Sequence, residues 1–260
     1  MALNYNNYLK LDELLSLQEP RSSPPEHDEY LFIVIHQTYE LWFKLLMIEL
    51  ERIKAAFSGN RLWDALHTFK RVRTIMKTLV GQVDILETMT PMSFTSFRDR
   101  LDNASGFQSV QFRELEFMLG YKRPQMMNYH EPGSPARHAL ERRLEERSVV
   151  DHFYDFLAHQ GVEVPRSLLE RDPREGTVAD AALQDGLFRL YQIRPELAGL
   201  FELMTDFDEG LQEWRYRHIK LVERTIGAKK GTGGSLGVEF LKKSLFVPVF
   251  PDLWAIRHRL

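Results

Sequence analysis

The chain has 260 residues, no cysteine, and a formal charge of -3 from 34 basic and 37 acidic side chains. The missing thiols exclude disulfides, iron–sulfur clusters, thiolate-bound metals and cysteine nucleophiles, so any metal must sit on His, Asp, Glu, Met or Tyr. The near-balanced charge gives no footprint for nucleic acid or an anionic membrane, while 43% hydrophobic and 12% aromatic residues suffice for a large core.

Residues 5–20 read as a short mixed segment ending in Pro20, and Arg21-Ser-Ser-Pro-Pro25 breaks any helix there. A helix is predicted from about Asp28 to Phe57. Its apolar residues cover nearly the whole circumference, as in a central helix. The dense stretch Leu31–Leu50 contains His36, Glu40, Lys44 and Glu49, which marks a buried bundle helix rather than a membrane span. The first residues also lack the basic and apolar regions of a signal peptide, so the expected location is cytoplasmic. Gly59-Asn60 separates this helix from another over 61–88, whose Leu62, Leu66, Phe69, Met76, Leu79, Val83 and Leu86 keep helical spacing. Thr90-Pro91 stops it. Ser93 is the expected N-cap of a short helix through Leu101. A loop at 103–106 precedes a helix over about 107–120.

Residues 121–190 carry five prolines and read as short helices joined by loops. The last long helix is predicted over Pro195–Ile226. Its seam is Leu200, Met204, Phe207, Leu211, Trp214, His218 and Leu221, with alternating spacings of four and three that face other helices. Gly227 is the expected C-terminal stop. The glycine-rich loop Gly231–Gly237 follows, and only Leu245–Phe250 reads as extended. The expected fold is therefore all-α, a helical bundle with several long helices and short peripheral ones. It forms a single domain over 1–260, because no linker divides it.

Several side chains carry chemical potential. His218 occupies an inward position on an apolar seam. It is either a core histidine bonded to a neighbouring helix or, with no cysteine to compete, an axial haem ligand. His36 lies one turn after Phe32 on the dense helix. It is either a satisfied core group or a hydrogen-bond partner for a polar atom of an apolar substrate. Arg98 shares a helix face with Phe94 and Leu101. That setting suits a bidentate grip on a carboxylate, or else an ion pair with Asp99 or Asp102. The 231–237 loop lets backbone amides approach a ligand, or serves as a connector. Neither a Walker loop nor a dinucleotide fingerprint fits it. No His pair has zinc or di-iron spacing, and no nucleophile elbow is present.

Taken together, several blocks resemble the tryptophan 2,3-dioxygenase family, in order and over nearly the whole chain. They are Asn4–Leu11, His27–Lys44, Leu86–Pro91, Phe97–Asp99, Ala104–Ser109, Trp214–His218 and Gly231–Ser235. The resemblance implies a homotetramer of helical subunits, each binding one haem b, ferrous when active, with O2 and L-tryptophan or a close analogue as substrates. It implies that His218 is the proximal iron ligand, and that His36 is the distal histidine at the indole N–H. Arg98 would clamp the substrate carboxylate, and Thr232 would close on the amino-acid end. Phe32, Phe94, Leu101, Ser105 and Gly106 would wall the indole and oxygen. Tyr5 and Tyr8, on an N-terminal arm spanning 1–25, would be lent to a neighbouring subunit. Two positions depart from the family pattern: Phe94 stands where some bacterial members have tyrosine, and Leu236 where serine is expected. The implied reaction is cleavage of the indole C2=C3 bond to N-formylkynurenine. Rival outcomes are a biosynthetic haem oxygenase that inserts one oxygen into a substituted tryptophan or other aromatic amino acid, and a haem-binding sensor without turnover.

Overall fold

The computed structural model describes residues 2–227, 229, 231 and 237–260. About 70% of the chain is helical, and no strand occurs among the described residues, so the all-α expectation holds. Two short helices, α1 (Tyr5–Leu9) and α2 (Leu11–Leu14), open the chain, α1 being set by a reciprocal Asn4–Asn7 capping box. Then come α3 (His27–Ser58) and α4 (Leu62–Leu86), joined by a tight turn at Gly59-Asn60.

The next helix, α5, spans Pro91–Arg98 and starts earlier than the sequence suggested. Thr90 is its N-cap, accepting from the Ser93 amide at 3.1 Å. Pro91 fits the first turn because its missing N–H would have no partner there anyway. The segment expected over 107–120 resolves into a 3-10 turn at Gly106–Gln108 and α6 (Val110–Met118), with Ser109 as N-cap. The proline-rich middle holds α7 (Pro135–Glu145), α8 (Val149–His159), α9 (Arg166–Leu169) and α10 (Ala181–Ile193). The long α11 covers Pro195–Ile226, followed by α12 (Val238–Lys242) and α13 (Pro251–Ala255). Gly227 ends α11 at φ 59° and ψ -134°, backbone that only glycine takes readily, and its amide bonds the Glu223 carbonyl at 2.9 Å.

Helix α4 packs between α3 and α11, α8 lies on α3, α6 bridges α3 and α7, and α10 lies on α11. A continuous apolar cluster fills these seams. At its centre Phe57 lies 5.2 Å from Phe156 and 5.5 Å from Phe153, and Phe69 meets Phe207 and Phe250 edge-on. The seam foreseen on α11 is buried apart from His218, which faces a cavity. Helix α3 differs from its expectation. By length and composition it is apolar enough to cross a membrane. Here it buries Ile35, Tyr39, Phe43, Leu46 and Leu50 against its neighbours but leaves Tyr30, Val34, Leu41 and Ile48 exposed.

The extended reading of Leu245–Phe250 does not hold among the described residues. The backbone there runs irregularly over α11, and buried side chains of that helix bind it in place of a partner strand. Asp208 accepts from the amides of Val249 (2.8 Å) and Phe250 (3.0 Å) and from the Trp254 indole (2.9 Å). Arg215 donates to the carbonyls of Val247 (2.8 Å) and Ser244 (3.3 Å). Burial raises the Asp208 carboxyl pKa, and those donors oppose the shift.

Candidate active site

A cavity of about 260 Å³ opens where α3, α5, α6, α11 and α12 converge. From α3 come Phe32 and His36, one turn apart, with ring centroids 4.1 Å from each other. The His36 Nδ1 lies 2.7 Å from the Phe32 carbonyl oxygen, which can only accept. Nδ1 is therefore the protonated nitrogen of the neutral ring, and Nε2 is left as an acceptor. Burial lowers the His36 pKa, opposed by the Phe32 carbonyl and by Glu40, so the neutral form prevails near pH 7.

Helix α5 supplies Phe94 and Arg98 to the wall. Phe32, Phe94 and the fully buried Phe97 form a three-ring group with centroids 5.5–5.8 Å apart, which fixes the wall in place. Arg98 lines the cavity, while Asp99 and Asp102 lie on the exposed surface. Leu101, Ser105 and Gly106 also line it, with the Ser105 hydroxyl capping the following turn through the Phe107 amide at 3.3 Å.

His218 enters from α11. One side of its ring faces the cavity, and no hydrogen-bond partner reaches it among the described residues. Burial, then His36 and Arg113, push its pKa down to about 4. A neutral imidazole, with a ring nitrogen free to donate its lone pair, is the form that binds a metal.

Sequence reasoning missed a charged part of the same wall. Arg113, Glu116, Arg123 and Arg215 all line the cavity. Arg113 and Arg215 are only 4% exposed. One Glu116 oxygen takes both Arg113 (2.5 Å) and Arg123 (2.6 Å). The Nε–H groups of Arg113, Arg123 and Arg215 are buried without a hydrogen-bond partner among the described residues, while the indole N–H of Trp214 faces the Tyr39 hydroxyl. With Arg98 and Glu40 added, four arginines face two glutamates around the cavity. Such an excess of buried positive charge suits a ligand that carries carboxylates. The one available signal was the run of alternating charge in Arg113-Glu-Leu-Glu116, on a helix that turns out to be almost wholly buried.

The structure thus brings together eight of the predicted residues: Phe32, His36, Phe94, Arg98, Leu101, Ser105, Gly106 and His218. It does not bring Tyr5 and Tyr8 to this cavity. Both stand on α1, 75% and 70% exposed. Thr232 and Leu236 lie outside the described residues.

The family model for tryptophan 2,3-dioxygenase matches residues 1–163 and 169–260. The chain belongs to that family. Among its relatives, the tryptophan 2,3-dioxygenase of Herpetosiphon aurantiacus is 51% identical over 259 residues, covering 100% of this chain and 99% of the relative. That of Anaeromyxobacter sp. (strain K) is 50% identical, over 100% and 97%. That of Kineococcus radiotolerans is 43% identical, over 99% and 91%. Likeness of this extent covers the cavity and every helix that lines it.

Proposed function

We propose that this cavity is where the chain cleaves the indole ring of L-tryptophan with O2. Family membership over the whole length supports that activity. The observation that carries the reading onto these residues is that His36 and His218 line one cavity. One offers an acceptor nitrogen, and the other has no hydrogen-bond partner among the described residues.

The residues present fit a haem. His218 would hold the iron, and the surplus of buried guanidinium groups, Arg113, Arg123 and Arg215, would balance the two propionates. A bound ferrous haem b supplies the binding and activation of O2 that no side chain here provides. The protein's own part is binding, orientation and exclusion of water. His36 Nε2 accepts the indole N–H. Because it is a neutral acceptor, it orients the ring without having to remove that proton. Phe32 and Phe94 flank the indole, Leu101, Ser105 and Gly106 complete the wall, and Arg98 takes the carboxylate through charge-assisted bonds. In the overall reaction the C2=C3 bond is lost and each carbon gains one oxygen atom, giving N-formylkynurenine.

The same reading covers the parts that the cavity leaves idle. Tyr30, Val34, Leu41 and Ile48 recur on one exposed face of α3 at spacings of 4, 7 and 7 residues. An apolar stripe of that kind suits burial against another copy of the chain. A homotetramer would cover it and would let the arm at 1–25 deliver Tyr5 and Tyr8 to a neighbour's cavity. Thr232 would close on the amino-acid end. A cytoplasmic location is part of the same reading, in keeping with the near-balanced charge of the chain.

The test is turnover. Haem-loaded, reduced protein given L-tryptophan and O2 is expected to form N-formylkynurenine, and unconsumed tryptophan would overturn the reading. Arg98→Ala is expected to lose roughly 1.5–3 kcal/mol of tryptophan binding, about 10- to 150-fold in affinity. Unchanged affinity would contradict the clamp.

A further inference from the structure

Metal-binding histidines usually have their ring plane fixed by the second ring nitrogen, which donates to a carboxylate or carbonyl. No such acceptor reaches His218 among the described residues. Its ring is instead stacked on Trp214, one turn earlier on α11, with centroids 5.2 Å apart and planes 6° from parallel.

Trp214 is itself held from three sides. Phe112 of α6 lies 5.1 Å away at 43°, Tyr39 of α3 lies 6.0 Å away at 65°, and Phe43 of α3 lies 6.3 Å away at 88°. Tyr39 is pinned in turn by its hydroxyl, which donates to the Leu79 carbonyl of α4 at 2.7 Å. Rings from two helices, one anchored to a third, thus fix the indole, and the indole lies flat against the imidazole. The Trp214 indole N–H also faces the Tyr39 hydroxyl, so packing and this polar contact together hold a side chain with two free torsions in one orientation.

We propose that Trp214 is a positioning residue whose stack sets the His218 ring plane at the iron in place of a hydrogen bond, leaving the ligand a neutral imidazole. This rests on the assignment of His218 as the iron ligand. An imidazole with no acceptor is a weaker electron donor than one paired with a carboxylate. The stack thereby orients the ligand without raising its basicity, and it favours the ferrous state.

The decisive readout is the iron–histidine stretching band of the ferrous holoenzyme. The wild type is expected to show one narrow band, at a lower frequency than a peroxidase with a carboxylate-paired histidine measured alongside. Trp214→Phe keeps a stacking ring and should keep a single band. Trp214→Leu should broaden or split the band and speed haem transfer to apomyoglobin roughly 2- to 10-fold, the worth of one aromatic pair. A Trp214→Leu protein with wild-type band shape and transfer rate would overturn the proposal. If that variant does not fold, the wild-type frequency decides, because a value in the carboxylate-paired range contradicts the neutral imidazole. His218→Ala separates the two layers. Loss of its band beside an unchanged Trp214→Leu band sinks only the positioning role, whereas a band that survives in His218→Ala sinks the ligand assignment itself.

Discussion

Helices α3 and α11 are each 32 residues long, and each delivers one histidine to the cavity, yet their outer faces differ. On α11 the apolar residues are nearly all used within the chain, and Tyr216 is its one large exposed hydrophobic among the described residues. On α3 four large apolar side chains remain exposed, Leu41 at 53% and Ile48 at 57%. An all-round apolar helix therefore has two readings. It can be central to its own subunit, or it can be shared between its subunit and another copy. The apolar residues of α11 are spent on packing within the chain, and the α3 surface has apolar area to spare.

The largest expected effect lies on α11. His218→Ala should abolish stoichiometric haem binding, read as loss of the Soret band, and full retention of haem would contradict the ligand assignment. On α3 the double change Leu41→Glu with Ile48→Glu should dissociate the proposed homotetramer while each subunit stays helical. Each side chain buried at an interface is worth about 1.5–3 kcal/mol. Sedimentation velocity checks this, and an unchanged mass would place the stripe outside the interface.

The third expectation concerns the haem-free chain. His218 has its pKa pushed down to about 4 in the folded state, against an ordinary value near 6.5. Above pH 6.5 the ring is neutral whether folded or not. As the pH falls, the unfolded chain takes a proton that the folded chain refuses. His218 alone should then lower stability by up to about 1.4 kcal/mol per pH unit, down to about pH 4. Urea midpoints between pH 7 and 5 measure this, and the slope should be shallower in His218→Leu. An identical slope in that variant would show that the penalty lies elsewhere. The smallest effect is on α3. His36→Ala should lose roughly 0.5–1.5 kcal/mol of preference for tryptophan over its N-methyl indole analogue. Equal losses on both substrates would remove the N–H contact from the account.

How much of this was legible in the sequence depended on where each residue's partners lie. The α11 seam and its Gly227 stop could be read directly, because spacing and backbone preference are local properties. The start of α5 was misplaced because two hydroxyl residues three positions apart, Thr90 and Ser93, can each cap, and Pro91 decides between them only through its missing donor. Periodicity left His36, Arg98 and His218 each with two readings. The cavity gives all three a common setting, and the resemblance carried by the flanking motifs had already favoured the functional one. The arginines on the cavity wall stayed hidden. A charged residue at mid-helix looks solvated until the packing around α6 is known, and Arg113, Glu114 and Glu116 are all buried. Asp208 and Arg215 were equally invisible as anchors, since their partners lie 29–46 residues further along the chain.

The central claim is that this cavity opens the indole ring with both atoms of one O2 molecule. Reduced, haem-loaded protein given L-tryptophan under oxygen-18 gas tests it by product mass. The account predicts N-formylkynurenine carrying two labelled atoms. A tryptophan product with one labelled atom would contradict ring cleavage and point to single-oxygen insertion.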